Sequence, residues 1–202
     1  MAKPTYKVWV VNLVSLGTRV YDSSRSYYFD WDQAKLTKTI SELKDLFDEV
    51  CKHATSKFAD TDVATTDLAT ASTSIKSGEL LLRLTTKKDS ILVKKYGADA
   101  VSNDASGATK DTGSGVVSEA WLEGAAGSGN VSELVARLGF HELMHNKLDA
   151  SNSKDIHSEK DDGTGLAASP VSYNTSLTTK NKLNMAPKLG SVVTQFTGTS
   201  IP

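Results

Sequence analysis

The sequence predicts an α+β fold in which a mixed β-sheet packs against two long helices. The first observation is that residues 6–14 are rich in β-branched and aromatic side chains, a composition typical of a strand. The second is the helical spacing of apolar residues between 36 and 54, and the third is a similar spacing between 134 and 148. A chain of 202 residues can bury a sizeable core, and we expect one domain over residues 1–202.

The first half of the chain should supply a second, shorter strand and the first long helix. Residues 25–29 carry aromatic side chains and predict the short strand. Apolar residues then recur at alternating spacings of four and three, which predicts a helix over residues 32–56. Asp30 or Asp32 is positioned to cap its N-terminus.

The middle of the chain predicts three more strands separated by polar segments. Residues 56–77 are rich in Thr, Ser and Asp and predict no clear element. Residues 79–85 and 90–96 are expected to form a hairpin across a short turn that contains two lysines. A loop rich in Gly, Ser and Asp over residues 98–115 leads to a strand over residues 116–121.

The second long helix is predicted over residues 130–148. Asn130 and Glu133 have the spacing of a capping box. Leucines and histidines then follow on one helical face, and these are Leu134, Leu138, His141, His145 and Leu148. The polar stretch that follows ends the helix, and the rest of the chain has no long periodic run.

The composition limits the partners and the location that we expect. The formal net charge of -1 provides no basic field that would favour nucleic acid or anionic lipid. No run approaches the ~20 apolar residues of a membrane helix, no secretory signal is evident, and the single cysteine, Cys51, excludes an internal disulfide. We therefore expect a protein that begins in the cytoplasm and acts on a protein or peptide. Export without a signal peptide would leave the same pattern.

The segment His141-Glu142-Leu143-Met144-His145 is an HExxH motif on the second helix. Residues four apart share a helix face, so both imidazoles can bind one tetrahedral metal ion. Glu142 lies one step round the helix, where its carboxylate can act as general base on a water that zinc has acidified. The motif therefore predicts a zinc-dependent peptidase, and two hydrogen-bonded core histidines are the alternative.

A catalytic zinc site normally has a third protein ligand. Three of the four histidines, including His157, lie on the second helix or shortly after it. We favour His157, because the polar segment around it can fold back beneath the helix. Asp149 lies eight residues after His141, about 12 Å further along a continuous helix, and is either an alternative ligand or a capping residue. Asp155 could orient an imidazole or be a surface charge.

These residues resemble the metzincin group of zinc peptidases, which share an HExxH helix, a third ligand soon after it and a methionine turn further on. The resemblance covers residues 116–190 and implies a zincin-like catalytic domain, a zinc cofactor and endopeptidase activity. Met185, in the sequence Asn-Met-Ala-Pro, would be the methionine beneath the ligands, and an ordinary core methionine is the alternative. Tyr173 would be an oxyanion-stabilising phenol or a packed loop tyrosine.

The resemblance departs from the extended motif HExxHxxGxxH at two positions. That motif would place glycine at 148 and histidine at 151, where this chain has Leu148 and Ser151. His157 therefore requires a connecting turn that is six residues longer. The resemblance also implies that residues 116–121 form the edge of the sheet, where a peptide would bind by adding a strand.

Two other functions fit the same residues. Zinc could stabilise a non-catalytic interaction module, in which four protein ligands would close the metal site. The peptidase could also be an effector or toxin that is delivered into another cell, which changes the setting and leaves the chemistry as it is.

Overall fold

The computed structural model describes residues 2–22, 26–98, 106–148, 156–157 and 163–201. The strands are β1 (Tyr6–Asn12), β2 (Thr18–Asp22), β3 (Tyr27–Trp31), β4 (Thr61–Thr66), β5 (Leu80–Thr85), β6 (Gly107–Asp111) and β7 (Val116–Trp121). The helices are α1 (Gln33–Cys51), α2 (Leu68–Ser74), α3 (Ile91–Tyr96), α4 (Val131–Leu148) and α5 (Thr179–Met185).

A mixed sheet organises the part of the chain that the structure describes. Its five strands lie in the order β4-β1-β5-β7-β6. The first four run parallel to their neighbours, whereas β6 runs antiparallel to β7 at one edge. Strands β2 and β3 form a separate antiparallel hairpin. The predicted α+β class with a mixed sheet is confirmed.

The two faces of the sheet are covered by different helices, because side chains alternate along each strand. One face packs against α1 and α4 and forms the main core, which includes Val8, Val10, Leu80, Leu82, Leu43, Phe47, Phe140 and Leu143. On the opposite face, Val11 and Leu81 pack with Ala71 of α2. Helix α3 covers the far end of that opposite face together with Phe196.

Helix α1 confirms the prediction of the first long helix, although it ends five residues earlier. Asp32 is the N-cap, and its carboxylate accepts a hydrogen bond of 2.8 Å from the backbone N–H of Lys35. Most of the expected apolar stripe is buried, but Ile40 is only half-buried and Ala54 is exposed beyond the end of the helix. Cys51 at the end of the helix is buried as well. This helix packs along α4 and supports it from one side.

Helix α4 lies where the second long helix was predicted, but it is buried on nearly all sides. At its start the backbone N–H of Glu133 donates to Asn130 Oδ1 at 3.4 Å, and the Glu133 carboxylate contacts the Asn130 amide. The helix is enclosed by α1, by β5, β6 and β7, and by a 3-10 turn at Gly165–Ala167. The sequence pattern predicted one inward stripe, whereas Phe140 and Met144 are also fully buried.

The predicted hairpin of residues 79–85 and 90–96 is wrong in its second strand. The first strand is β5, but residues 91–96 form the helix α3. The Ser90 side chain caps this helix by accepting a hydrogen bond of 3.0 Å from the backbone N–H of Val93. A short apolar run does not distinguish a strand from a buried helical turn, and the cap decides between them.

The edge of the sheet was also predicted wrongly. Residues 116–121 do form a strand, β7, but it lies between β5 and β6. The edge strand is β6, within the segment 98–115 that was predicted to be a loop. Gly107 and Asp111 bound this strand and reduce its strand propensity, so pairing with β7 rather than local preference accounts for it.

Three smaller differences concern polar segments. The predicted short strand of residues 25–29 corresponds to β3, which is shifted towards Trp31 and pairs with β2. Residues 56–77 contain the edge strand β4 and the helix α2. Late in the chain, where no long periodic run was found, the short helix α5 forms and ends at Met185.

None of the described helices is long and apolar enough to cross a membrane.

Candidate metal centre

Three imidazoles converge beside α4. His141 and His145 lie one helical turn apart, and their Nε2 atoms are 3.1 Å from each other. His157 completes the group, in which one possible ligand atom from each ring lies within 4.8 Å of the others. Two nitrogens bound to one tetrahedral zinc at 2.0–2.1 Å would be roughly 3.3 Å apart. The three histidines therefore lie close enough to bind a metal ion.

His157 reaches the helix because its neighbour is anchored in the core. Ile156 is buried in the main core cluster, next to a chain segment whose composition is strongly polar. Burial of this one apolar side chain fixes the following residue beneath α4. The sequence predicted His157 as the third ligand because the polar segment around it can fold back beneath the helix. In the structure, the buried side chain of Ile156 holds His157 in this position.

Backbone carbonyls orient two of the three rings. His141 Nδ1 donates a hydrogen bond of 2.6 Å to the carbonyl of Leu166. His157 Nδ1 donates a hydrogen bond of 2.9 Å to the carbonyl of Ala167, the residue that follows Leu166. A proton on Nδ1 leaves the Nε2 lone pair of each neutral ring for a metal ion, which is the usual arrangement behind a histidine ligand. A donor set of three imidazoles is one that zinc accepts in proteins.

The electrostatic environment favours the neutral ring of His141. Burial has the largest effect, and together with the neighbouring His145 and His157 it lowers the pKa of His141 to about 3. The hydrogen bond to the carbonyl of Leu166 acts in the opposite direction and is outweighed. A neutral imidazole is the form that binds metal ions, so this environment favours coordination at neutral pH.

Glu142 faces the edge strand β6. Its carboxylate Oε2 accepts a hydrogen bond of 2.9 Å from the hydroxyl of Thr109, and the same hydroxyl lies 2.8 Å from the backbone carbonyl of Glu142. A Cβ on Gly107 would lie 2.6 Å from Glu142 Oε1, so only glycine permits this close approach. The base candidate is thus held between the helix and the edge of the sheet.

The end of α4 is tied to the sheet and to the C-terminal segment. The Asn146 amide donates to Ser118 Oγ on β7 at 3.2 Å and to Gln195 Oε1 at 3.1 Å. The ammonium group of Lys147 donates to two backbone carbonyls, those of Gly78 and Ser191. Both side chains are fully buried, so these bonds fix the helix turn that carries His145.

The remaining predicted residues are not placed in the cluster. Asp149 and Asp155 lie outside the described residues. Met185 is fully buried in the main core, at the end of a helix that packs against α4 and the 3-10 turn. The side chain of Tyr173 is 55% exposed, and its carbonyl accepts a hydrogen bond from Arg137. The roles of Met185 and Tyr173 stay predictions.

Several residues that build this centre were missed from the sequence. Thr109 stands in a segment predicted to be a loop. Asn181, whose Oδ1 accepts a hydrogen bond of 3.0 Å from the backbone N–H of Leu166, is part of a capping box with Thr178 at the start of the short helix α5. The Thr178–Asn181 spacing was the one available signal for α5. Leu166 and Ala167 act through their backbone carbonyls, which every residue has, so no sequence pattern could have revealed their role.

We find no protein-family model, curated protein or solved structure that matches this chain. The assignment of a function therefore depends on the chemistry of the site itself.

Proposed function

We propose that this chain is a zinc-dependent endopeptidase with a zincin-like, metzincin-like catalytic domain. The observation that carries the proposal is the convergence of His141, His145 and His157 within 4.8 Å. HExxH motifs that arise by chance have no reason to meet a third histidine from another segment. Buried Met185, at the end of a helix that packs against α4, is compatible with the methionine of a Met-turn.

In this proposal the imidazoles of His141, His145 and His157 would hold a zinc ion. Bound zinc supplies Lewis acidity, which lowers the pKa of water and polarises the scissile carbonyl. Glu142 accepts the proton of the attacking water and returns it to the leaving amine. The hydrogen bond from Thr109 keeps the Glu142 carboxylate in place while it does so.

A peptide substrate would bind along β6. Within the described residues this strand pairs with β7 on one side and lies at the edge of the sheet on the other. Edge strands offer unpaired backbone groups to which an extended peptide can add. Thr109, in the middle of β6, contacts Glu142, so a peptide added to β6 would pass the proposed base.

The test combines metal content with hydrolysis of a fluorogenic peptide library. Wild-type protein should contain one zinc ion per chain and cleave peptides, and His157→Ala should lose the zinc. Glu142→Gln should keep the zinc while its kcat falls by about 10²- to 10⁴-fold, because the general base is removed. Glu133→Gln makes the same chemical change earlier on α4 and should leave both properties unchanged.

Each result has a distinct meaning. Hydrolysis at the wild-type rate by Glu142→Gln would exclude the mechanism, and wild-type protein without zinc would exclude the metal site. Zinc bound to a wild-type protein that cleaves no peptide in the library would support the non-catalytic zinc module instead.

A further inference from the structure

The turn Gly165–Ala167 holds two of the three clustered imidazoles, and a single buried side chain holds that turn. The consecutive carbonyls of Leu166 and Ala167 accept the Nδ1 protons of His141 and His157. A rotation of this turn would therefore move both rings together. What fixes the turn determines where the two Nε2 atoms point.

The side chain that fixes the turn is Asn181 of α5. Its Oδ1 accepts hydrogen bonds of 3.0 Å from the backbone N–H groups of Leu166 and Thr178, and its Nδ2 donates a hydrogen bond of 2.9 Å to the carbonyl of Thr164. Asn181 is fully buried. It therefore binds the turn from both sides of Gly165, through one acceptor and one donor.

The backbone of Gly165 fits against the same amide. This residue has a φ of 56°, and a Cβ there would lie 2.5 Å from Asn181 Oδ1 and 2.7 Å from the carbonyl oxygen of Ser176. Both the left-handed conformation and the close contact require glycine. The turn and the amide are thus built to fit each other.

We propose that Asn181 is a positioning residue of the metal centre, which acts through the turn to orient His141 and His157. The proposal rests on the proposed metal site but not on peptidase activity. The amide is needed as such, because an aspartate of the same shape would lack the donor and place negative charge against the carbonyl of Thr164. Asn181 touches neither the metal position nor a substrate in this role.

The first experiment measures the zinc affinity of the folded protein by competition with a chelator. Asn181→Asp should weaken zinc binding by about 10-fold or more, the usual effect of a lost partner behind a ligand. Gly165→Ala should act in the same direction, since it disturbs the turn from its other side. With cobalt in place of zinc, the ligand-field absorption spectrum of both variants should shift.

The control separates positioning from general stability. Asp67→Ala removes a helix cap of α2, on the opposite face of the sheet, where Asp67 Oδ1 accepts from the backbone N–H of Thr70 at 2.7 Å. It should lower Tm without changing zinc affinity or the cobalt spectrum. If Asn181→Asp and Gly165→Ala lower Tm but bind zinc like the wild type, Asn181 is merely structural and the proposal fails.

A second experiment needs no metal and distinguishes this failure from that of the proposed function. In metal-free protein at mildly alkaline pH, nitrogen NMR of the histidine rings reports which nitrogen carries the proton. His141 and His157 should be Nδ1–H tautomers in the wild type and should redistribute in Asn181→Asp, whereas half-buried His53, outside the cluster, should not change. Unchanged tautomers would overturn the positioning role, and a redistribution in a protein that binds no zinc would uphold the role of Asn181 towards the rings while removing the metal site.

Discussion

Two groups of polar side chains lie on opposite faces of the same sheet and differ in how far they are buried and in what surrounds them. On the α3 side, Arg83 of β5 lies against Glu119 of β7, with 3.5 Å between Nε and Oε1, and both side chains are almost fully buried. On the α4 side, the three imidazoles of His141, His145 and His157 face one another. The first group contains opposite charges, whereas the second contains groups of one kind.

Most polar atoms of the Arg83–Glu119 pair find partners within the protein, although the buried Arg83 Nε has no hydrogen-bond partner among the described residues. The Ser90 hydroxyl and the backbone N–H of Ile91 donate to the Glu119 carboxylate, and Arg83 Nη1 donates to the carbonyl of Gly198 at 3.0 Å. In the second group, burial and then the neighbouring His145 and His157 lower the pKa of His141. A buried ion pair whose charges compensate each other has a structural role. A cluster of imidazoles instead presents several nitrogen lone pairs, which can bind a cation from outside the protein.

The largest expected effect tests the first half of this comparison. Arg83→Met should lower the free energy of unfolding by about 3–5 kcal/mol, because it leaves the buried Glu119 carboxylate without its ion-pair partner. Arg19→Met, which removes an exposed ion pair with Asp30, should cost at most about 1 kcal/mol. Urea denaturation measures both values. Equal losses of stability in the two variants would mean that the buried Arg83–Glu119 pair contributes no more to stability than the exposed Arg19–Asp30 pair.

An intermediate effect concerns the imidazoles and pH. The folded-state pKa of His141, about 3, lies below the unfolded value of about 6.5, so the unfolded chain binds the extra proton first as the pH falls. The metal-free protein should therefore lose stability between about pH 6.5 and pH 3. The loss from His141 is about 2 kcal/mol between pH 7 and pH 5, at 1.36 kcal/mol per pH unit below 6.5.

The measurement for this pH effect is urea denaturation of the chelator-treated protein across the pH range. His141→Leu should show a shallower dependence, because the group that resists protonation is gone. A His53→Leu variant is the matched control and should keep the wild-type slope. An equally steep slope in His141→Leu would assign the acid sensitivity to other groups.

The smallest effect tests how closely the second group is coupled to the sheet edge. Thr109→Val removes the hydroxyl that donates to Glu142. Loss of this hydrogen bond should raise the activation free energy by about 1 kcal/mol and so lower kcat roughly fivefold. Zinc content should not change, since Thr109 does not contact the imidazoles in the cluster. Thr65→Val, on the opposite edge strand β4, should leave kcat unaltered, and a loss of zinc in Thr109→Val would contradict the separation of base and ligands.

The sequence predicted those parts of the site that depend on local spacing. His141, Glu142 and His145 follow from the HExxH motif on a helix that the spacing of apolar residues predicts, and α1 was predicted from the same kind of spacing. His157 followed from the need for a third ligand and the small number of histidines. Each of these inferences uses residue types and local spacing, without any contact between distant segments.

The parts that were missed depend on contacts between distant segments. Strand β6 exists because it pairs with β7, and the turn at Gly165–Ala167 because Asn181 holds it. The error at α3 has the same origin, since the apolar residues Ile91 and Leu92 suit a strand or a helix equally until Ser90 caps the helix. Local patterns indicate which residues are used, and tertiary contacts decide how they are oriented.

The supports behind the imidazoles have a consequence for the order in which the chain folds. The bond from His141 to Leu166 spans 25 residues, and the bond from Leu166 to Asn181 spans another 15. Both bonds join segments that are distant in the sequence, and long-range contacts of this kind form more slowly than the local hydrogen bonds of a helix. Acquisition of the metal ion would therefore follow α4 formation, and the appearance of a cobalt spectrum during refolding would time the docking of the segment 165–181.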